Sequence, residues 1–136
     1  TTSGRTGDVV FYVDTSSVLK LLVDETHSTA MREWFAGHEA VWSSQLLRTE
    51  ALRAARRLGV TDEAVEEVLA GISLILPSAA TFGVAGGLEP QSLRSLDALH
   101  LATALELGGD LEGLVAYDRN MIDGARAASV PVLSPT

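Results

Sequence analysis

The sequence predicts an α/β fold: a central parallel sheet covered by helices on both faces. Two observations carry this expectation. Short runs of β-branched and aromatic residues alternate along the chain with segments of helical period, the pattern of a parallel sheet built from crossovers. The first such run, VVFYV (Val9 to Val13), is apolar without alternation, as in a strand buried on both sides.

That first strand ends at Asp14. Thr15, Ser16 and Ser17 then offer capping hydroxyls before VLKLL, so the strand is expected to pass directly into a short helix. A second helix is expected from His27 to Ala36, with Ala30, Met31, Trp34 and Phe35 on one side and Gly37 as its end. Glu39 to Trp42 reads as a short strand, after which Ser43 or Ser44 caps a helix running to Leu58 and stopped by Gly59. Asp62 opens another helix to about Ala70. GISLILP gives a third strand closed by Pro77, Ser78 to Val84 reads as helical, and Gly86, Gly87 and Pro90 mark a loop. Ser92 or Ser95 caps the helix SLDALHLATALELG, which Gly108 and Gly109 terminate. LVAY then leads to Asp118, a final helix runs from Asn120 to Ala128, and VPVL forms the last strand.

At 136 residues the chain is the size of one ordinary domain, assigned to residues 9–136. Its first eight residues, TTSGRTGD, lack the apolar region of a signal peptide and read as a flexible tail. Every apolar run is interrupted well short of a membrane span, so no membrane association is expected. The chain has no cysteine, which excludes disulfides, thiolate metal sites and thiol nucleophiles and fits a reducing cytoplasm. The net charge of -8 is unusual for a protein acting on nucleic acid, which normally binds phosphate through basic surface. Carboxylates gathered on divalent cations would account for part of it. A partner chain supplying basic groups near the site would answer the rest.

Four acids occupy positions that invite explanation. Asp14 and Asp118 each follow an apolar strand, where open parallel sheets bind ligands; the alternative is that each only caps a helix. Glu50 falls on the stripe formed by Leu47, Ala51, Ala54 and Leu58, where a charge is costly unless paired or bound to metal; the alternative is a border residue paired with Arg53 or Arg57. Asp97 shares a helix face with Leu93, Leu101 and Ala104; the alternative is a first-turn acid, paired with Arg94. One shared site explains all four together. Oxygen ligands without cysteine or paired histidines select a hard cation, Mg²⁺ or Mn²⁺, and that chemistry suits phosphodiester hydrolysis by activated water.

The segments YVDTSSVLKLL, SSQLLRTEALRA, LRSLDALHLATALELG and LVAYDRNMIDGARAASVPVLSP resemble the PIN-domain family, especially its VapC toxins. The resemblance covers nearly all of the chain after Val9, and the third and fourth segments are its most specific parts. It implies a three-layer α/β/α sandwich, dependence on Mg²⁺ or Mn²⁺, endonucleolytic cleavage of RNA, and neutralisation by a VapB-like antitoxin in a homodimer or higher assembly. By motif, the family's four acids fall on Asp14, Glu50, Asp97 and Asp118, and its polar residue two positions after the first acid falls on Ser16. Two residues before the last acid, where the family often carries threonine or serine, this chain has Ala116.

Other features carry two readings each. Arg53, Arg56 and Arg57 form a basic strip beside Glu50 that either guides RNA or makes local salt bridges. His100, three residues after Asp97, is either a base or ligand or a packed histidine, the latter being the commoner case. Trp34, Phe35, Trp42 and Phe82 are core residues or line a groove for a partner. A haloacid-dehalogenase phosphatase needs a second aspartate where Ser16 stands, and a later lysine, whereas the only lysine is Lys20. A PIN-like binding module with a vestigial metal site is the nonenzymatic alternative, and the presence of all four acids argues against it.

Overall fold

A computed structural model describes residues 9–136, and the tail expected at residues 1–8 lies outside them. Strand β1 (Val10–Val13) leads into α1 (Thr15–Leu22) and α2 (Ser28–Ala36). Strand β2 (Val41–Ser44) is followed by α3 (Leu46–Leu58) and α4 (Asp62–Leu69), then β3 (Ser73–Ile75). Helices α5 (Ala79–Gly86) and α6 (Ser95–Leu105) precede a short 3₁₀ turn (Gly108–Asp110), β4 (Leu111–Val115), α7 (Arg119–Ala127) and β5 (Val132–Leu133).

All strand pairs are parallel and the sheet runs β3-β2-β1-β4-β5. From β1 the chain builds outward through β2 and β3, then returns to the other side of β1 to lay down β4 and β5. The switch point, where such sheets open a ligand crevice, is therefore between β1 and β4. Two cores confirm the three-layer architecture. Val13 and Val115 face a cluster with Val18, Met31, Leu47, Ala51, Ala55 and Val65 from α1 to α4. Tyr12 and Leu114, one residue earlier on each strand, face the opposite cluster with Leu101, Ala104, Met121 and Ala125 from α6 and α7.

Several boundaries differ from the sequence expectation for identifiable reasons. Ser43 and Ser44 both belong to β2, where they are buried and pair in register with Leu74 and Ile75, while the Ser44 hydroxyl also accepts from the Leu46 amide at the start of α3. The Ser43 hydroxyl donates to the Val13 carbonyl at 2.6 Å, which gives this polar residue a partner inside the sheet. The apolar stripe of α3 stops at Ala55, since Leu58 is exposed. Strand β4 starts at Leu111 and ends before Ala116, so a two-residue connection separates it from Asp118. Gly113 permits the close approach of β5, because a Cβ there would stand 2.5 Å from the Leu133 methyl.

Candidate active site

Asp14 leaves β1 at its carboxyl end and becomes the N-cap of α1, its side chain accepting from the Ser17 amide. Asp118 likewise caps α7 by accepting from the Met121 amide. Capping and a shared site are thus not rivals: each acid satisfies an orphan helix donor while standing at the switch point. Val13 pairs with Val115 and the Asp14 amide donates to the Val115 carbonyl at 3.3 Å, so the two strand ends are in register. Ser16 ties them further, donating to Asp14 Oδ1 at 2.7 Å and accepting from the Tyr117 amide at 3.0 Å.

From the helices, α3 contributes Glu50 and the first turn of α6 contributes Asp97. Asp14, Glu50, Asp97 and Asp118 all line one open cleft of about 340 Å³, together with Thr15, Ser16, Arg94 and His100. The four acids differ in surroundings. Asp14 is 3% exposed, and burial pushes its carboxyl from 3.8 up to about 6 even though Ser16 and the Ser17 amide and hydroxyl all donate to Oδ1. Burial also pushes Glu50 up, but the hydrogen bond from His100, the field of that ring and the Thr15 hydroxyl at 2.8 Å outweigh it and hold the carboxyl below its ordinary value. Asp97 is raised by burial and by the facing charge of Asp118.

Arg94 bridges that like-charged pair, with Nε 3.8 Å from Asp97 and a terminal nitrogen 3.7 Å from Asp118. A cation already spans the two carboxylates. The donor set is all oxygen, which fits a hard divalent ion held by Asp14, Glu50, Asp97 and Asp118. Among the described residues, no three acidic or imidazole groups close into a ready-made cage as they stand. Glu50 is turned to His100 and Thr15, and Asp97 and Asp118 to Arg94.

His100 is packed, the commoner of its two readings, and from that position it also reaches a site carboxylate. It is 1% exposed, its Nε2 lies 2.6 Å from Glu50 Oε1, and its Nδ1 lies 2.7 Å from the Tyr12 hydroxyl. The i,i+3 spacing from Asp97 was the available signal; the contacts with Tyr12 and Glu50 cross 88 and 50 residues and left none. Thr15, read only as a cap, reaches the same carboxylate. Ala116 is buried in the core beneath α7. Just beyond it, the Tyr117 amide donates to the Ser16 hydroxyl of α1. Of the aromatics, Trp34 and Phe35 pack on the first core, whereas Phe82 is exposed.

The PIN-domain family model matches residues 11–127, and the chain belongs to this family, among its VapC ribonucleases. It is 39% identical over 126 residues to Ribonuclease VapC46 of Mycobacterium tuberculosis, covering 92% of this chain and 97% of that protein. Ribonuclease VapC47 of the same species is 33% identical over 132 residues, covering 93% and 97%. Among solved structures, M. tuberculosis VapC20, described as a Sarcin-Ricin loop cleaving toxin, shares the fold with a TM-score of 0.73 at 17% identity, over 92% of this chain and 99% of that one. A toxin–antitoxin complex from Klebsiella pneumoniae gives 0.70 at 18% identity, over 92% and 97%.

Proposed function

We propose that this protein is a Mg²⁺- or Mn²⁺-dependent endoribonuclease, the toxin of a VapBC-type pair, which hydrolyses single-stranded or looped RNA and leaves a 5′ phosphate. The observation that carries this reading is the convergence of Asp14, Glu50, Asp97 and Asp118 on one cleft at the β1/β4 switch point. Asp14, Glu50, Asp97 and Asp118 would hold a divalent ion, which would supply an activated water and offset charge on the leaving oxygen.

The chain's own residues have separable parts in this account. Asp14, nearly buried and held by Ser16 and Ser17, is the fixed wall of the site. Glu50, kept ionised by His100 and Thr15, is a carboxylate that stays charged and available to a cation at neutral pH. Asp97 and Asp118 repel each other, and any cation between them relieves that repulsion. The open cleft suits an accessible loop better than a regular A-form duplex. A VapB-like antitoxin is the partner that this reading requires, within a homodimer or larger toxin–antitoxin assembly. The cytoplasm is the compartment proposed. No helix among the described residues is long and apolar enough to cross a membrane.

The test is cleavage of a labelled RNA with Mg²⁺, with EDTA, and by folded Asp14→Asn and Asp97→Asn variants. Cleavage is expected with metal alone and lost, by at least about 100-fold, in the other three conditions. Full activity in either folded variant overturns the mechanism and favours the binding-module alternative.

A further inference from the structure

The structure divides the arginine strip on α3. Arg56 is held by Asp62 at 3.1 Å, and Lys20, Arg32, Arg48 and Arg94 likewise each hold a carboxylate. Arg53 and Arg57 are exposed and have no ion-pair or hydrogen-bond partner among the described residues. Both line a groove of about 360 Å³ with Thr49 and Ala54. That groove shares Thr15, Leu19, Glu50 and Leu96 with the acid cleft, so the two are continuous.

Helix geometry sets the order. Glu50, Arg53 and Arg57 lie at i, i+3 and i+7 and share one face of α3. The two guanidinium-bearing positions are about 6 Å apart along the axis, and the nearer is about 4.5 Å from Glu50. This is the scale of successive nucleotides along a single strand. In a protein of net charge -8, these are unpaired cations with the forked geometry that grips phosphate, placed beside the carboxylates.

We infer that Arg53 and Arg57 form a phosphate-binding track that holds two consecutive backbone phosphates of the RNA strand leading away from the scissile bond. Exposed Leu96 and partly buried Leu19 give this track an apolar wall against which a base can lie. The inference rests on the nuclease reading above, and it supplies from within the chain the basic surface that the composition lacks.

The experiment uses fluorescein-labelled single-stranded RNA and measures anisotropy over a salt series, on an Asp97→Asn background to prevent cleavage. Arg53→Gln with Arg57→Gln is expected to weaken Kd about tenfold and to reduce the salt slope by about 1.4, two single-strand phosphate contacts. Arg53→Lys is expected to restore part of the affinity, and Arg126→Gln, which lines neither cavity, is expected to change nothing. In the cleaving protein the loss falls on KM more than on kcat. Unchanged Kd and slope in the double variant, with RNA binding by the parent intact, overturns the track and leaves the nuclease reading standing. Retained RNA affinity with lost binding to the cognate antitoxin also overturns it, in favour of a protein-docking role. A parent that neither binds nor cuts RNA removes both.

Discussion

His100 Nε2 lies 2.6 Å from Glu50 Oε1, and the same ring meets the Tyr12 hydroxyl through Nδ1 at 2.7 Å. Burial pushes the Tyr12 phenol up, so it keeps its proton and meets Nδ1 as a neutral hydroxyl. An ionised carboxylate can only accept, so Nε2 donates to Glu50. Glu50 therefore holds the proton on Nε2, and Nδ1 is left to the Tyr12 hydroxyl. The sheet thereby orients a carboxylate at the mouth of the cleft through a ring buried against it.

Removing this support tests it. His100→Ala is expected to lower cleavage by about 10- to 100-fold, the usual loss when a supporting partner of a metal-site ligand is deleted. Tyr12→Phe leaves a buried ring nitrogen without its partner and is expected to cost about 1–3 kcal/mol in denaturant unfolding. It should reduce activity less than His100→Ala does. Undiminished cleavage by folded His100→Ala would show the ring to be packing alone.

Asp14 carries a stability cost with a definite pH dependence. Its folded carboxyl, at about 6, holds its proton more tightly than the unfolded one at 3.8. Ionisation therefore opposes folding: the penalty is absent below about pH 4, grows between about pH 4 and 6, and is constant at about 3 kcal/mol above that. Asparagine caps helices equally well. In EDTA, Asp14→Asn is expected to be more stable than the parent at pH 7.5, with the difference vanishing near pH 4. A variant less stable at both pH values contradicts the burial argument.

Arg94 competes for the place of a metal between Asp97 and Asp118. Its side chain is 68% exposed, so Arg94→Gln is expected to lower the stability of the metal-free protein by under about 1 kcal/mol. Calorimetric titration should find Mn²⁺ binding tightened severalfold in this variant. Weakened Mn²⁺ binding would mean that Arg94 supports the acids rather than displacing the ion.

On β4, beside the edge strand β5, Gly113→Ala places a methyl 2.5 Å from Leu133 Cδ1 and 3.4 Å from the Pro131 carbonyl. Overpacking of this kind costs about 1–3 kcal/mol. Chemical denaturation reads that loss directly, and an unchanged midpoint means that the Leu133 side chain turns aside without cost.

Most of the architecture was legible because its signals are local. VVFYV announced a doubly buried strand, and Gly37 and Gly59 both stand at the C-caps where their helices end. The four acids were legible because charge on an apolar stripe or at a strand end is costly without a purpose. What escaped depends on distant partners. Ser43 looked like a cap because its acceptor, the Val13 carbonyl, is 30 residues away, and Tyr12 looked like core until its hydroxyl met His100. The arginine strip read as one unit, yet Asp62 claims Arg56 and leaves its neighbours facing the groove.

The central claim is that the four carboxylates act as one cation site. Mn²⁺ binding followed by electron paramagnetic resonance tests it most directly, in the parent and in Asp14→Asn, Glu50→Gln, Asp97→Asn and Asp118→Asn. The expected result is binding by the parent that weakens about tenfold or more in each variant. Equal Mn²⁺ affinity in the parent and all four folded variants would contradict the account.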